Sequence, residues 1–247
     1  MSVLQSVAVV AILAVGVTIS MAVGGFDLSV GALAASSVMT ASYAMVVLRL
    51  DAAETVALTL GFGIVVGLVN AALIVLVGVP DLLATLAINF LLTGLQLIPT
   101  AGRSIATGLI LPSGDSANGV FDPNFLAIGR ARFLGVAPYP VILMLVIGLA
   151  AFVLTERTRI GRLLFAVGGN EIAARLAGAR TERLKTLAYV LSAALASLGA
   201  VVGAIFVGVL LNGLTMLNVP YYTQDFVKGA VLVGALGLTY GLGRRPA

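Results

Sequence analysis

Asp27 is the one charged side chain among the first 48 residues, and it stands in the run AVGGFDLSVGALAA, residues 22–35. A carboxylate and a hydroxyl, Asp27 and Ser29, directly after Gly24-Gly25 suit two kinds of chemistry. They can accept backbone N–H groups freed where a helix breaks and restarts. They can also hydrogen-bond the hydroxyls of a passing solute, because membrane transporters place broken helices beside their substrate routes. A second constellation is AVGGNEIAARLAGAR, residues 166–180. Gly168-Gly169-Asn170 is a turn and helix-start signal in which Asn170 caps a short helix, with Glu171 at its positive end and Arg175 and Arg180 toward the other. Its small residues, Ala173, Ala174, Ala177 and Gly178, would let another protein surface approach closely. From the residues alone this segment is either a docking element or a solvated connector.

Covalent catalysis has little to work with. The chain holds neither Cys nor His, which removes disulfides, thiol nucleophiles and most transition-metal sites. No nucleophile–base or metal constellation and no Gly-x-x-x-x-Gly-Lys-Ser/Thr phosphate loop occurs, so an enzyme is not expected.

The elements that position these residues belong in a bilayer. Of 247 residues, 60% are hydrophobic and 10% charged, against about 25% charged in an ordinary soluble domain. A spanning helix needs about 20 apolar residues. Cutting at charges, prolines and polar clusters predicts spans near 3–23, 29–48, 55–77, 82–98, 139–155, 186–214 and 227–243: an all-α polytopic bundle of about seven apolar segments, some short or broken. The opening run has no basic residue before Asp27 and reads as a retained span rather than a cleaved signal. The sixth segment, about 43 Å as a helix, is longer than a membrane requires and reads as one long or broken helix.

Residues 155–185 hold half of the 14 basic residues, from Arg157 to Lys185, and the positive-inside rule makes this loop cytoplasmic. Arg244 and Arg245 put the C-terminus on the same side. The segment 99–138, rich in Gly, Pro, Asn and Asp, is then an external irregular loop, and the N-terminus is external. Asn70, Thr85, Asn89, Thr93, Gln96 and Asn212 lie in or near spans. Helix-to-helix hydrogen bonding explains such residues at about 0.6 kcal/mol each; Asn70, Thr85, Asn89 and Asn212 join Asp27 and Ser29 as pathway or gating candidates. Gly61, Gly63 and Gly67 are expected to allow close packing. Tyr221, Tyr222, Gln224, Asp225 and Lys228 form an external interfacial cluster.

Four ordered blocks carry a family resemblance. TRIGRLLFAVGGNEIAARLAGARTERLKTLAYVLSAALA resembles the cytoplasmic loop of sugar-type ABC importer permeases, the ribose permease group. GGFDLSVGALAASSVM resembles that family's signature. GLVNAALIVLVGVPDLLATLAINFLLTGLQLIPTAGRSI is similar to its central spans, and GVLLNGLTMLNVPYYTQDFVKGAVLV to its final helices.

The resemblance implies a pathway subunit for a monosaccharide or related polyol. It also implies a second permease copy, a separate ABC ATPase subunit and a periplasmic or extracellular sugar-binding protein. Gly168, Gly169, Asn170, Ala173, Ala174, Arg175 and Gly178 match the segment seated in the ATPase. No cofactor is expected in this chain, since ATP and Mg2+ belong to that partner, and no nucleic acid is implied; the setting is the bacterial inner membrane. Against the family pattern, one earlier span is missing before Met1 and a segment is missing between Ala196 and Gly203. A branched-chain amino acid permease, an ion-coupled carrier and a truncated, inactive permease are the competing readings. The carrier is disfavoured by the scarcity of intramembrane ionisable groups.

Overall fold

A computed structural model describes residues 3–103, 105–133 and 137–216. The chain divides into two units, 1–205 and 206–247, and the packing below is that of the first. Helix α1 covers Val3–Ala22, α2 Val30–Val46, and α3 Ala52–Ala71 with a π-helical turn Ala72–Leu76. Next come α4, Asp81–Leu95, and α6, Tyr139–Phe152, which ends in a second π turn, Val153–Arg157. Helix α7 is Arg159–Gly169, α8 is Glu171–Leu176 and α9 is Thr181–Met216. Ala52–Leu76, Asp81–Thr100, Tyr139–Arg157 and Thr181–Gly203 are long and apolar enough to cross a membrane. Together with α1 and α2 they correspond to the first six expected spans.

Three expectations change or fall outside. The sixth span is a single helix that begins at Thr181 rather than Thr186. Its charged first turns, Glu182 to Lys185, hid the start because apolarity and helicity need not begin together. Segment 99–138 is more ordered than an irregular loop. It holds two short hairpins, Leu109–Ile110 (β1) with Ser116–Ala117 (β2) and Arg132–Phe133 (β3) with Ala137–Pro138 (β4), and a helix α5, Pro123–Arg130. Asp122 caps α5 by accepting the Asn124 N–H at 2.7 Å, with Pro123 at the first helical position where no donor is lost. The span 227–243, the cluster Tyr221, Tyr222, Gln224, Asp225 and Lys228, and Arg244-Arg245 lie outside the described residues.

Helix α9 is the central post. Small residues on its neighbours let the backbones close in: a Cβ at Gly67 would sit 2.8 Å from Val190 Cα, and one at Gly63 would overlap the Ser197 hydroxyl. Gly16 of α1 faces the Ser192 carbonyl, and further along Gly199 and Gly203 of α9 face Leu13 and Val9. That order makes α1 and α9 antiparallel. Gly61, by contrast, has open space around it. Between the helices runs a buried polar seam: Ser37 and Ser197 share a hydrogen bond at 2.9 Å, and the Ser36 hydroxyl donates to the Leu92 carbonyl at 3.2 Å. Close backbones and cross-helix hydroxyls are how helices associate where lipid supplies no hydrophobic drive.

The two ends of this unit differ. At one, Gly119 N donates to the Val46 carbonyl, and Asp122 accepts from Ala52 N at 3.1 Å. Gln5 donates to the Gly129 carbonyl at that same end, so segment 99–138 covers it. The other end gathers the α1–α2 connection, the α3–α4 connection, α7, α8 and the start of α9.

Candidate functional site

The α1–α2 connection is a break rather than a loose loop. Gly24 has φ +78°, a left-handed conformation that favours glycine. Its backbone donors are taken up one by one. Gly25 N donates to the Ser20 carbonyl, Phe26 N to Asp81 Oδ2, Leu28 N to Thr85 Oγ1 at 3.2 Å, and Ser29 N to Asp27 Oδ1 at 3.0 Å. Asp81 and Thr85 lie one turn apart on α4, on one face; the Thr85 hydroxyl also reaches the Asp81 carbonyl at 2.8 Å and that of Phe26 at 3.2 Å. Helix α4 thereby splints the break.

Asp27 is 4% exposed, and three donors converge on its carboxylate. Oδ1 accepts the Ser29 N–H and the Ser29 hydroxyl at 2.6 Å, and Oδ2 accepts the Ser192 hydroxyl of α9 at 3.0 Å. Asn70 of α3 donates to Ser29 Oγ at 2.9 Å. Since that hydroxyl's proton goes to Asp27, the Asn70 amide must present its nitrogen. The chain Asn70 to Ser29 to Asp27 leaves Asn70 Oδ1 buried without a partner among the described residues. Ser29 is the residue before α2, yet its side chain makes no cap hydrogen bond to the first turn. Asp27 holds the entry residue instead of capping the helix interior.

Of the candidates named from sequence, Asp27, Ser29 and Asn70 form one network, and Thr85 joins through the backbone of the break. Asn89 does not: it is half-buried farther along α4, where its carbonyl accepts from Thr93 Oγ1. Gln96 lies beyond the end of that helix. Asn212 falls in the part of α9 whose side chains are not described. Sequence reasoning missed Asp81, Tyr189 and Ser192. The positions Lys185, Tyr189 and Ser192 recur at i, i+4, i+7, one stripe of α9, and that spacing was the available signal. A cavity of about 250 Å3 opens beside the break, lined by Gly24, Gly25, Asp81, Lys185 and Tyr189 among others. The Tyr189 hydroxyl sits where a Cβ on Gly25 would have to go.

The 159–178 segment is seated directly beneath. A Cβ on Gly168 would overlap the Ala22 carbonyl and lie 2.9 Å from Gly24 N, so the last turn of α7 rests on the break itself. Asn170 ends α7 and caps α8, its Oδ1 accepting the Ala173 N–H at 3.0 Å. Gly169 has open space around it, and Gly178 turns the chain after α8 with φ +89°. Ala174 is buried with Ile19, Val23, Leu164, Val167, Leu184 and Ala188, so it seats α8 rather than facing outward. Ala173 is exposed. The outward apolar surface comes from two residues the sequence reading passed over, Ile172 at 74% exposed and Leu176 at 84%. Glu171 accepts from Arg175 at 3.2 Å and pairs with Lys185 at 2.5 Å. The Lys185 hydrogen bond, with the charges of Lys185 and Arg175, holds the Glu171 carboxyl below its ordinary range against a partial desolvation.

Comparison with known proteins identifies the family. The family described as "Branched-chain amino acid transport system / permease component" matches residues 1–200. The ribose import permease of Escherichia coli K12 is 32% identical over 281 residues, covering 95% of this chain and 83% of that protein. The ribose import permease of Bacillus subtilis is 31% identical over 280 residues, 96% and 83% of the two chains. A galactofuranose transporter permease of Escherichia coli is 32% identical over 239 residues, 97% of this chain and 64% of its own. The first two alignments are longer than the chain itself, so those relatives contain residues with no counterpart here. No solved structure matches. A polytopic helical membrane protein with these relatives belongs to the permease-component family of ABC importers.

Proposed function

We propose that this chain forms the membrane pathway for a monosaccharide or similar polyol in an ABC importer driven by a separate ATPase subunit. The observation that supports it best is α8. A capped, six-residue helix holds Ile172 and Leu176 in the open, flanked by the basic residues of 155–185, directly under the Gly24–Ser29 break. Two exposed branched side chains on a seated helix match what a groove in a partner would accept. On this reading the α8 end of the bundle is cytoplasmic, the end covered by 99–138 is external and meets a sugar-binding protein, and a second permease copy completes the pathway. ATP and Mg2+ are bound by the ATPase.

The Asp27–Ser29–Asn70–Ser192 network is, in this reading, the fastening of the pathway's inner end. Its four members come from the break, α3 and α9, so opening the break would exchange these hydrogen bonds for water or solute hydroxyls.

Co-expression with an ABC sugar-importer ATPase and its binding protein tests the proposal. The tagged chain should retain the ATPase through detergent purification, Ile172→Asp/Leu176→Asp should release it, and reconstituted vesicles should take up a labelled pentose or hexose with ATP inside. Uptake of leucine or valine instead would replace the sugar reading with the amino acid one, and ATP-independent uptake would replace both with a carrier.

A further inference from the structure

A six-residue helix is far too short to hold itself, so the structure must say what fixes α8. Asn170 caps it and Ala174 anchors its inner face. Two polar connections leave the segment for α9, and the charged one is the pairing of Glu171 with Lys185, 14 residues away. Arg175 adds a hydrogen bond to Thr181, at the first residue of α9. Lys185 is half-buried and opens the stripe Lys185, Tyr189, Ser192. Its first two members line the cavity beside Gly24-Gly25, and its third bonds Asp27.

We propose that the Glu171–Lys185 ion pair is the strap that fixes the docking helix to α9, so that force on α8 reaches the Gly24–Ser29 break along the Lys185–Tyr189–Ser192 stripe. The inference rests on the ATPase-docking reading of α8. Glu171 and Lys185 are positioning residues: they touch no solute and act through the groups they hold. The Gly168 seat pushes on the break from α7, while the strap pulls on α9 at the same level. The cavity between them gives the Gly24-Gly25 backbone and the Tyr189 ring room to move. Without the strap, α8 would still bind a partner through Ile172 and Leu176, but its displacement would be absorbed in the Ala177-Gly178 turn instead of moving α9.

The test is a double-mutant cycle on the complete reconstituted importer, reading solute transported per ATP hydrolysed. Glu171→Gln and Lys185→Met should each keep the ATPase bound and still hydrolysing, yet lower that ratio at least about twofold. The double variant should be no worse than either single one. Lys185→Arg, which keeps the charge, should restore the ratio. Single variants with an unaltered ratio, or effects that multiply independently, overturn the strap while leaving the importer reading in place. A wild-type chain that holds no ATPase removes the importer reading and the strap with it.

Discussion

The Ser192 hydroxyl donates to Asp27 across 165 residues of sequence, joining the first third of α9 to the turn between α1 and α2. That bond defines the environment of the carboxylate. At the centre of a lipid-facing helix an Asp costs roughly 2.5–3.5 kcal/mol. Here it stands at the end of the bundle that carries α8, buried among donors. Its attraction is spent on holding three elements together, and that makes its two possible roles separable.

Asp27→Ala removes an acceptor from the Ser29 N–H and from two hydroxyls, each a buried group whose loss of partner costs about 1–3 kcal/mol. The expected outcome is a large fall in the melting temperature of the detergent-solubilised protein. Asp27→Asn keeps an amide oxygen for both Ser29 donors, and Ser192 can turn its hydroxyl to accept from the new amide. Its melting temperature should therefore stay near the wild type. Transport by Asp27→Asn then isolates the charge: normal uptake limits Asp27 to fastening the break, whereas uptake lost from a stable protein assigns the charge to the gating step.

Gly67 is where α3 and α9 come closest. A Cβ there would meet Val190 Cα at 2.8 Å and the Ala193 methyl at 2.9 Å, and backbone cannot step aside as a flexible side chain can. Gly67→Val should cost about 1–3 kcal/mol through overpacking and separate the helices that bring Asn70 and Ser192 to the break. Gly61→Ala, one and a half turns earlier and facing open space, should be neutral. Thermal unfolding of the two variants side by side checks the contrast; equal destabilisation would overturn the close approach at Gly67 as the cause, since Ala and Val both exceed Gly in helix propensity.

The spans were legible because bilayer thickness imposes a length on them, and Asn170 was legible because a cap needs a particular side chain at a particular place. Asp81 was hidden at the edge of a span, where a charge reads only as a boundary. Ser192 was hidden because a hydroxyl inside an apolar helix ordinarily bonds its own preceding turn. Their roles depend on α4 and α9 meeting the break, a tertiary fact with no local trace. Segment 99–138 shows the opposite case: Asp122-Pro123 is a readable helix start, obscured by the Gly- and Asn-rich residues around it. Ile172 and Leu176 were passed over because attention went to the small residues, one of which proves to face inward.

Asp122 joins two helices with one carboxylate, Oδ1 to Asn124 N in the first turn of α5 and Oδ2 to Ala52 N at the start of α3. Loss of a helix cap costs about 0.5–2 kcal/mol, and the second bond adds to it. Asp122→Ala should lower the melting temperature and make 99–138 more sensitive to protease added outside sealed vesicles, while Asp122→Asn should lose less of both. Cleavage only when protease is trapped inside the vesicles would invert the proposed orientation.

Glu171 supplies a pH dependence whose sign is fixed by its partners. Its carboxyl is held below the ordinary value of 4.5 by the Lys185 hydrogen bond first, then by the charges of Lys185 and Arg175. A carboxyl lowered on folding stabilises the folded segment above its unfolded value, and the contribution disappears as pH falls through the lowered one. The order of α8 should therefore be constant from neutral pH to about 4.5 and decline only below it. Because the group is 35% exposed, solvent screening keeps the effect modest. Hydrogen exchange at the α8 amides, corrected for the intrinsic rate at each pH, should show this step in the wild type. Glu171→Gln should exchange faster at neutral pH and show no step, since its amide cannot titrate. A step that persists in that variant would remove Glu171 as the titrating group.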